Sequence, residues 1–237
     1  MIPPGYWSLL PILIGGVLYS VIAGKLTIAA AITGALLAFL VFTGANYTGV
    51  IMMTIFFVLG SAATGWKINI KKQQGLAESN KGKRKASQVF ANAGMPAILG
   101  LLAWKYPFKG DLLVMMMAAS FASATADTLS SELGNIYGTK FYNVLNGRKD
   151  ERGLDGVISV EGTLIGVAGS IIIAIVYSVG IGWSSNFVWI VIAGTVGNFF
   201  DSLLGATLER KGVLKNDSVN FLNTVVAAVV AWLAYTF

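Results

Sequence analysis

Long stretches without a charged residue divide this chain into apolar segments separated by short polar loops. Six such stretches cover residues 1–24, 26–66, 86–104, 112–126, 162–200 and 218–237. A bilayer crossing takes about 20 apolar residues, so the pattern predicts transmembrane helices. The low share of charged residues, 12%, and the mean hydropathy of +0.71 agree with a membrane protein.

The second and fifth stretches are each long enough for two crossings. Each has a turn signal near its middle, Thr-Gly-Ala-Asn-Tyr at 43–47 and Gly-Ile-Gly-Trp-Ser-Ser-Asn at 180–186. The stretch at 112–126 reaches about Ser131 if Asp127 faces protein instead of lipid. We therefore predict one all-α, polytopic membrane domain over residues 1–237 with eight spans, and seven or nine spans are the alternatives.

Basic residues collect in the loops on one side of this predicted bundle. Lys25 and the loops at 66–86, 134–160 and 206–217 hold 15 of the 17 Lys and Arg residues, while Lys105 and Lys109 lie on the other side. The positive-inside rule places these loops in the cytosol and both termini outside. We expect a multi-pass protein of a bacterial-type plasma membrane, with its bases near anionic membrane lipids and no nucleic acid as partner.

The chain contains no Cys and no His. Disulfides, thiolate nucleophiles, imidazole bases and Cys or His metal sites are therefore excluded. A metal ion bound by this chain would take oxygen ligands.

Acidic residues abut or interrupt the apolar segments at their cytosolic ends. They are Asp127, Glu132, Glu161 and Asp201. Ionisable groups in such positions are costly and usually functional, although pairing with loop lysines in the headgroup layer is the structural alternative. Small residues share a helix face with the two aspartates: Ser120, Ser123, Ala124 and Ser131 around Asp127, and Gly194, Gly197, Asn198 and Gly205 around Asp201. Both aspartates are therefore predicted to point into the bundle.

Glu132 follows Asp127 by five residues, which is about 140° around an ideal helix. The two carboxylates can share a ligand only if the helix ends between them. Gly134 is a candidate for such a helix end.

Amides and a glycine-rich helix start lie at the same membrane face. Asn92 and Asn223 each open a helix, where capping or an interhelical hydrogen bond is the alternative to ligand binding. Glu161, Gly162 and Thr163 begin another helix. Its backbone amides could hold an anion together with bases of the preceding loop, which are Lys140, Arg148 and Lys149. The same glycine spacing also suits helix packing.

These residues together predict phosphate chemistry. Mg²⁺ held by Asp127 and Asp201, with Glu132 as a further ligand, would bridge phosphates, and Lys140 would help to neutralise them. Phosphoryl transfer needs positioning and charge neutralisation more than covalent catalysis. We predict an enzyme acting on a phosphorylated or hydroxylated membrane lipid with a soluble phosphate donor. The alternative is a transporter or channel for a small solute or ion, whose site would lie near the bilayer midplane.

Four strings in the chain resemble the phytyl-phosphate kinase family. They cover residues 88–92 (QVFAN), 124–134 (ATADTLSSELG), 156–163 (GVISVEGT) and 201–206 (DSLLGA). The resemblance runs from about Lys25 to the C-terminus. One stretch departs from the family pattern: residues 145–155 read LNGRKDERGLD where a proline-rich Lys-Pro-Val-Pro-Pro-Gly-Thr-like sequence is expected.

The resemblance implies a membrane kinase that transfers phosphate from CTP to an isoprenyl monophosphate and gives the diphosphate. It implies Mg²⁺ as cofactor and a nucleoside triphosphate and an isoprenyl phosphate lipid as ligands, and it leaves a homo-oligomer open. The residues that match the family motifs are Asn92, Asp127, Glu132, Gly162, Thr163 and Asp201. Asp127, Asp201 and Lys140 are the expected catalytic residues, and the others, with Glu161, Arg148, Lys149 and Asn223, are expected to bind substrate or nucleotide.

The charge asymmetry makes a topological prediction that the absence of Cys makes simple to test. A single cysteine at Lys72 should resist a membrane-impermeant thiol reagent in intact cells, whereas one at Lys109 should react. Labelling of the Lys72 position from outside would overturn the orientation.

Overall fold

The computed structural model of the chain describes residues 4–77 and 82–236. Residues 78–81 of the predicted basic loop, with Lys81, lie outside the described residues. The helices are α1 Pro4–Ile22, α2 Ile28–Gly65, α3 Ile68–Gln73, α4 Ala86–Lys105, α5 Gly110–Tyr137, α6 Val160–Ile181, α7 Asn186–Leu204 and α8 Asn216–Thr236. Two short strands, β1 Tyr142–Asn143 and β2 Val157–Ile158, form an antiparallel pair in the loop between α5 and α6.

The predicted all-α, polytopic membrane architecture is confirmed. Within the described ranges, six helices are long and apolar enough to cross a bilayer, and α1 contributes a shorter apolar segment. The breaks between 66 and 86 and between Ile181 and Asn186 match the predicted loops. The number of spans and the side of the termini stay predictions.

Helix α2 is a hairpin of two arms. A straight helix of 38 residues would be about 57 Å long. Asn46 instead has φ 49° and ψ −144°, inside the turn signal at 43–47. Residues after Asn46 pack back onto residues before it. A Cβ added at Gly49 would lie 2.6 Å from Cγ1 of Val41, and one at Gly65 would lie 3.9 Å from Nζ of Lys25. The chain therefore reverses at Asn46, as the prediction of two separate helices requires.

Helix α5 is the centre of the bundle and packs against α2, α4, α6, α7 and α8. Its middle consists of small side chains, and the serines and alanines of the predicted stripe at 120, 123 and 124 are fully buried. Such residues let neighbouring helices approach closely. The small-residue stripe of α7 is buried as well, at Gly194, Gly197 and Asn198.

The predicted helix end near Gly134 is wrong, because α5 continues to Tyr137. Gly134 instead serves packing: a Cβ there would lie 2.8 Å from Cα of Gly162 at the start of α6. Asp127 and Glu132 therefore stay on one continuous helix and point in different directions.

Candidate active site

A cavity of about 460 Å³ lies where the ends of α4 to α8 meet, beneath the loop between α5 and α6. Its lining includes six of the predicted residues, namely Asn92, Asp127, Glu132, Gly162, Thr163 and Asp201. Further polar side chains in the wall come from α4, α7 and α8. The residues that match the family motifs therefore share one cavity at one end of the bundle.

The side chains of Asp127 and Asp201 lie close enough in this cavity to interact directly. The first belongs to α5 and the second to α7. Two carboxylates this close repel each other strongly in a protein interior, so a cation or a proton must neutralise part of their charge. The structure thus joins the two aspartates that the stripes of small residues predicted to face inward.

Asn223 holds the acid pair in place from α8. Its Nδ2 donates to Oδ2 of Asp201 at 2.7 Å, and its Oδ1 accepts from Oγ of Ser123 at 3.0 Å. Asn223 is fully buried and is not part of the cavity lining. Its contacts are those of a residue that positions Asp201, and its predicted role in binding substrate or nucleotide stays a prediction.

Arg84 brings a positive charge to the cavity and interacts electrostatically with Asp127. The side chain is buried and its guanidinium carbon lies 5.3 Å from the ring centroid of Phe56. Backbone pairing with Lys25 and Thr27 fixes the segment. Sequence reasoning counted Arg84 only among the bases of its loop, because no spacing distinguishes it from the neighbouring lysines.

Glu132 is engaged in an ion pair and does not join the aspartates as a third ligand. Its Oε2 lies 2.5 Å from Nζ of Lys71, which also donates to the carbonyl of Ala63 at 2.7 Å. Lys71 is only 1% exposed, although it belongs to the short basic helix α3. The predicted metal-ligand role of Glu132 gains no support from this geometry, since a neighbouring ammonium already balances its charge.

The loop between α5 and α6 covers the cavity and is held by specific contacts. Arg210 donates from Nη2 to Oδ2 of Asp150 at 2.9 Å and from Nε to the carbonyl of Asp155. Hydrogen bonds from Asn143, the Glu151 amide and Arg210 keep the pKa of Asp150 below its ordinary value, so this carboxylate is charged at neutral pH. These bonds hold residues 145–155, the stretch that lacks the prolines of the family pattern.

Gly156 brings that loop directly against the turn that follows α7. It has φ +72°, and a Cβ there would overlap Ala206. Residues Gly205–Glu209 form a π-helical turn, a feature that often marks functional sites. Glu209 from this turn lines the cavity. Sequence reasoning missed Glu209 because helical periodicity carries no signal for a π-turn.

The predicted basic ligands of the loop do not reach the cavity. Lys140, Arg148 and Lys149 are exposed and are absent from the lining. Glu161 also lies outside it, where its Oε1 accepts from the hydroxyl of Thr139 at 2.6 Å. The catalytic role of Lys140 and the binding roles of the other three stay predictions that this lining does not support: in the described residues, Arg84 is the base that lines the cavity.

The donor set at the acid pair fits a magnesium ion. Among residues 4–77 and 82–236, no three acidic, His or Cys side chains cluster as a metal site. Mg²⁺ is commonly held by one or two carboxylates, with phosphate oxygens and waters completing its shell. Asp127 and Asp201 would hold it, and the ion would neutralise phosphate charge there.

The model of the family described as "Integral membrane protein DUF92" matches residues 11–228. The chain belongs to this family. The resemblance predicted from the four motifs is confirmed at the level of the family. Comparison with solved structures found no match.

Three relatives of this DUF92 chain illustrate the range of the family. Membrane protein MJ0933 of Methanocaldococcus jannaschii is 33% identical over 196 residues, 83% of this chain and 79% of that protein. Membrane protein sll0875 of Synechocystis is 30% identical over 198 residues, 82% of this chain and 77% of that protein. Protein VTE6, chloroplastic, of Arabidopsis thaliana is 32% identical over 197 residues, 80% of this chain and 59% of that protein.

The buried ion pair predicts a stability effect at Lys71. Replacing Lys71 by Met leaves the carboxylate of Glu132, which is 11% exposed, without its charged partner, and this should cost about 1–3 kcal/mol of unfolding free energy. The double variant Lys71→Met/Glu132→Gln should recover most of this loss. The measurement is thermal unfolding in detergent.

Lys72→Met is the matched control, because Lys72 is the exposed neighbour on the same short helix. Equal destabilisation by the two Lys→Met changes would contradict the assignment of the ion pair.

Proposed function

We propose that this protein is a lipid-phosphate kinase that transfers the terminal phosphate of a nucleoside triphosphate, CTP by family resemblance, to an isoprenyl monophosphate such as phytyl phosphate. Similarity to VTE6 supports the broader class, a kinase-like transferase of the membrane. The observation that carries the proposal is the contact of Asp127 with Asp201 inside a polar cavity. The positive-inside rule favours the cytosolic face for this site, where soluble nucleotides are present.

In this reaction an oxygen of the acceptor phosphate attacks the γ-phosphorus of the donor. A new P–O bond forms, and the bond from the γ-phosphorus to the oxygen that bridges it to the β-phosphorus breaks. The nucleoside diphosphate leaves with the bridging oxygen, which keeps the electron pair of the broken bond. The task of the protein is to bring two anionic groups into line and to neutralise their charge.

The residues of the cavity suit that task. Asp127 and Asp201 would hold the magnesium ion that the phosphates share, and Asn223 fixes the orientation of Asp201. Arg84 supplies a permanent positive charge in the same wall. These groups act by charge and position, which is what a transfer between phosphates requires.

A phosphate acceptor fits this chain better than a free alcohol. A prenol hydroxyl must lose its proton during attack, which calls for a positioned base, and the chain has no His. The acidic pair is assigned to the metal ion. An isoprenyl monophosphate already carries an anionic oxygen and needs only placement beside the donor.

The alternative, a transporter or channel, is disfavoured by the depth of the cavity. Transport sites usually lie near the bilayer midplane at interrupted helices. Here most lining residues come from the starts of α4, α6 and α8 and from the second halves of α5 and α7, and Thr195 and Val196, at the middle of α7, are the deepest.

Removing the charge of either aspartate should abolish transfer. Asp127→Asn and Asp201→Asn should each lower the rate by at least about 100-fold, because the amide keeps the shape and loses the attraction for the metal ion. Asp111→Asn, at the opposite end of α5, is the control and should keep near-normal activity. Near-normal magnesium-dependent transfer by both site variants would refute the metal assignment.

The choice of acceptor is tested by offering matched pairs of prenol and prenyl monophosphate to the purified protein with Mg²⁺ and labelled CTP or ATP. The monophosphate should be converted to the diphosphate, and the alcohol should react far more slowly. Faster phosphorylation of the alcohol would place the protein among prenol kinases.

A further inference from the structure

One wall of the cavity is formed by α6 and α7. It is lined by Thr163 from α6 and by Thr195, Val196 and Phe199 from α7. Val196 is 39% exposed and Phe199 is 49% exposed. On a helix that crosses a bilayer, exposed apolar side chains face lipid. Residues that face both lipid and the cavity mark a place where the cavity meets the bilayer.

This opening presents hydrocarbon, because its hydroxyl groups are already used within the helices. Oγ1 of Thr163 donates to the carbonyl of Ser159 at 3.0 Å, and Oγ1 of Thr195 donates to the carbonyl of Val191 at 2.8 Å. A hydrocarbon chain can therefore lie along this wall without leaving hydroxyl groups unpaired.

The opposite wall, between α4 and α8, has a different chemistry. It carries amides, including Asn92 and Asn220, whose side-chain carbonyl oxygens are buried and have no hydrogen-bond partner in the described part of the chain. Phe90 and Phe221 stack across the same two helices with centroids 5.9 Å apart. Buried acceptors without partners favour a ligand with N–H or O–H donors on this side.

Depth in the bilayer also distinguishes the two sides. Val196 precedes Asp201 by five residues on α7 and so lies about 7.5 Å further from the cytosolic end of the helix. The line from the acid pair to Val196 therefore runs towards the membrane interior. An amphiphile whose phosphate lies at the aspartates can place its chain along this line.

We propose that the hydrocarbon chain of the lipid acceptor leaves the cavity between α6 and α7, past Val196 and Phe199, and that these two residues select for chain bulk. This inference rests on the proposed function for the identity of the headgroup. It assigns the amide-lined wall to the polar donor and the apolar wall to the lipid.

A tryptophan at Val196 should obstruct the opening. Val196→Trp should raise KM for geranylgeranyl monophosphate by about tenfold or more and leave KM for dimethylallyl monophosphate near its wild-type value. Leu164→Trp is the matched control: Leu164 is 64% exposed on α6 and lines a neighbouring apolar pocket of about 190 Å³ without lining the cavity itself. The reverse pattern, with Leu164→Trp selective against the long chain, would overturn the proposal.

A binding readout separates this inference from the proposed function. Geranylgeranyl monophosphate with a diazirine on its last isoprene unit should crosslink to residues 195–199 in the wild-type protein, and unlabelled geranylgeranyl monophosphate should displace the crosslink. Displaceable crosslinks there without any turnover would support the lipid opening and refute the kinase. Turnover with crosslinks at Phe90, Phe221 or Leu164, or with labelling that no competitor displaces, would refute the opening and leave the kinase standing.

Discussion

The contact between the carboxyl groups of Asp127 and Asp201 is the constraint on which the rest of the site depends. It requires the ends of α5 and α7 to approach closely, which glycine allows. A Cβ at Gly194 would lie 2.7 Å from Cβ of Ala122, and one at Gly197 would overlap Ser123. Larger side chains at these positions would push the two helices apart and separate the carboxyl groups.

Two acidic side chains that are held together inside a helix bundle need support from neighbouring residues. Asn223 binds Asp201 and Ser123 at once and so links α8 to both acidic helices. Arg84 adds a positive charge, and the loop fastened by Arg210 covers the cavity from above. The ion pair of Lys71 with Glu132 ties α3 to the side of α5. These contacts let a costly arrangement of charges persist at the membrane surface.

The sequence predicted those features of the fold and site that follow from periodicity. Charge-free stretches and turn signals predicted the apolar helices, including the reversal of α2 at Asn46. Small residues spaced around Asp127 and Asp201 predicted that both aspartates face inward, because the spacing of residues determines which of them share a helix face.

What the sequence could not predict depends on tertiary contacts. Glycine is common at helix ends, which made Gly134 a candidate, but Gly134 packs against Gly162 and α5 stays helical to Tyr137. As a result Glu132 meets Lys71 instead of the aspartates. Loop bases such as Lys140 carry no pattern that distinguishes a base near the cavity from one in solvent. The turn that brings Glu209 to the cavity lies outside the helical periodicity altogether.

The proposed chemistry depends most directly on a divalent ion bound by the acid pair, and Mn²⁺ can report that ion as a paramagnetic substitute for Mg²⁺. Electron paramagnetic resonance of the purified protein with Mn²⁺ and CTP should show bound Mn²⁺ that excess Mg²⁺ displaces. The bound signal should be lost in Asp127→Asn and in Asp201→Asn and kept in Asp111→Asn. Equal Mn²⁺ binding by the wild-type protein and both site variants would contradict the account.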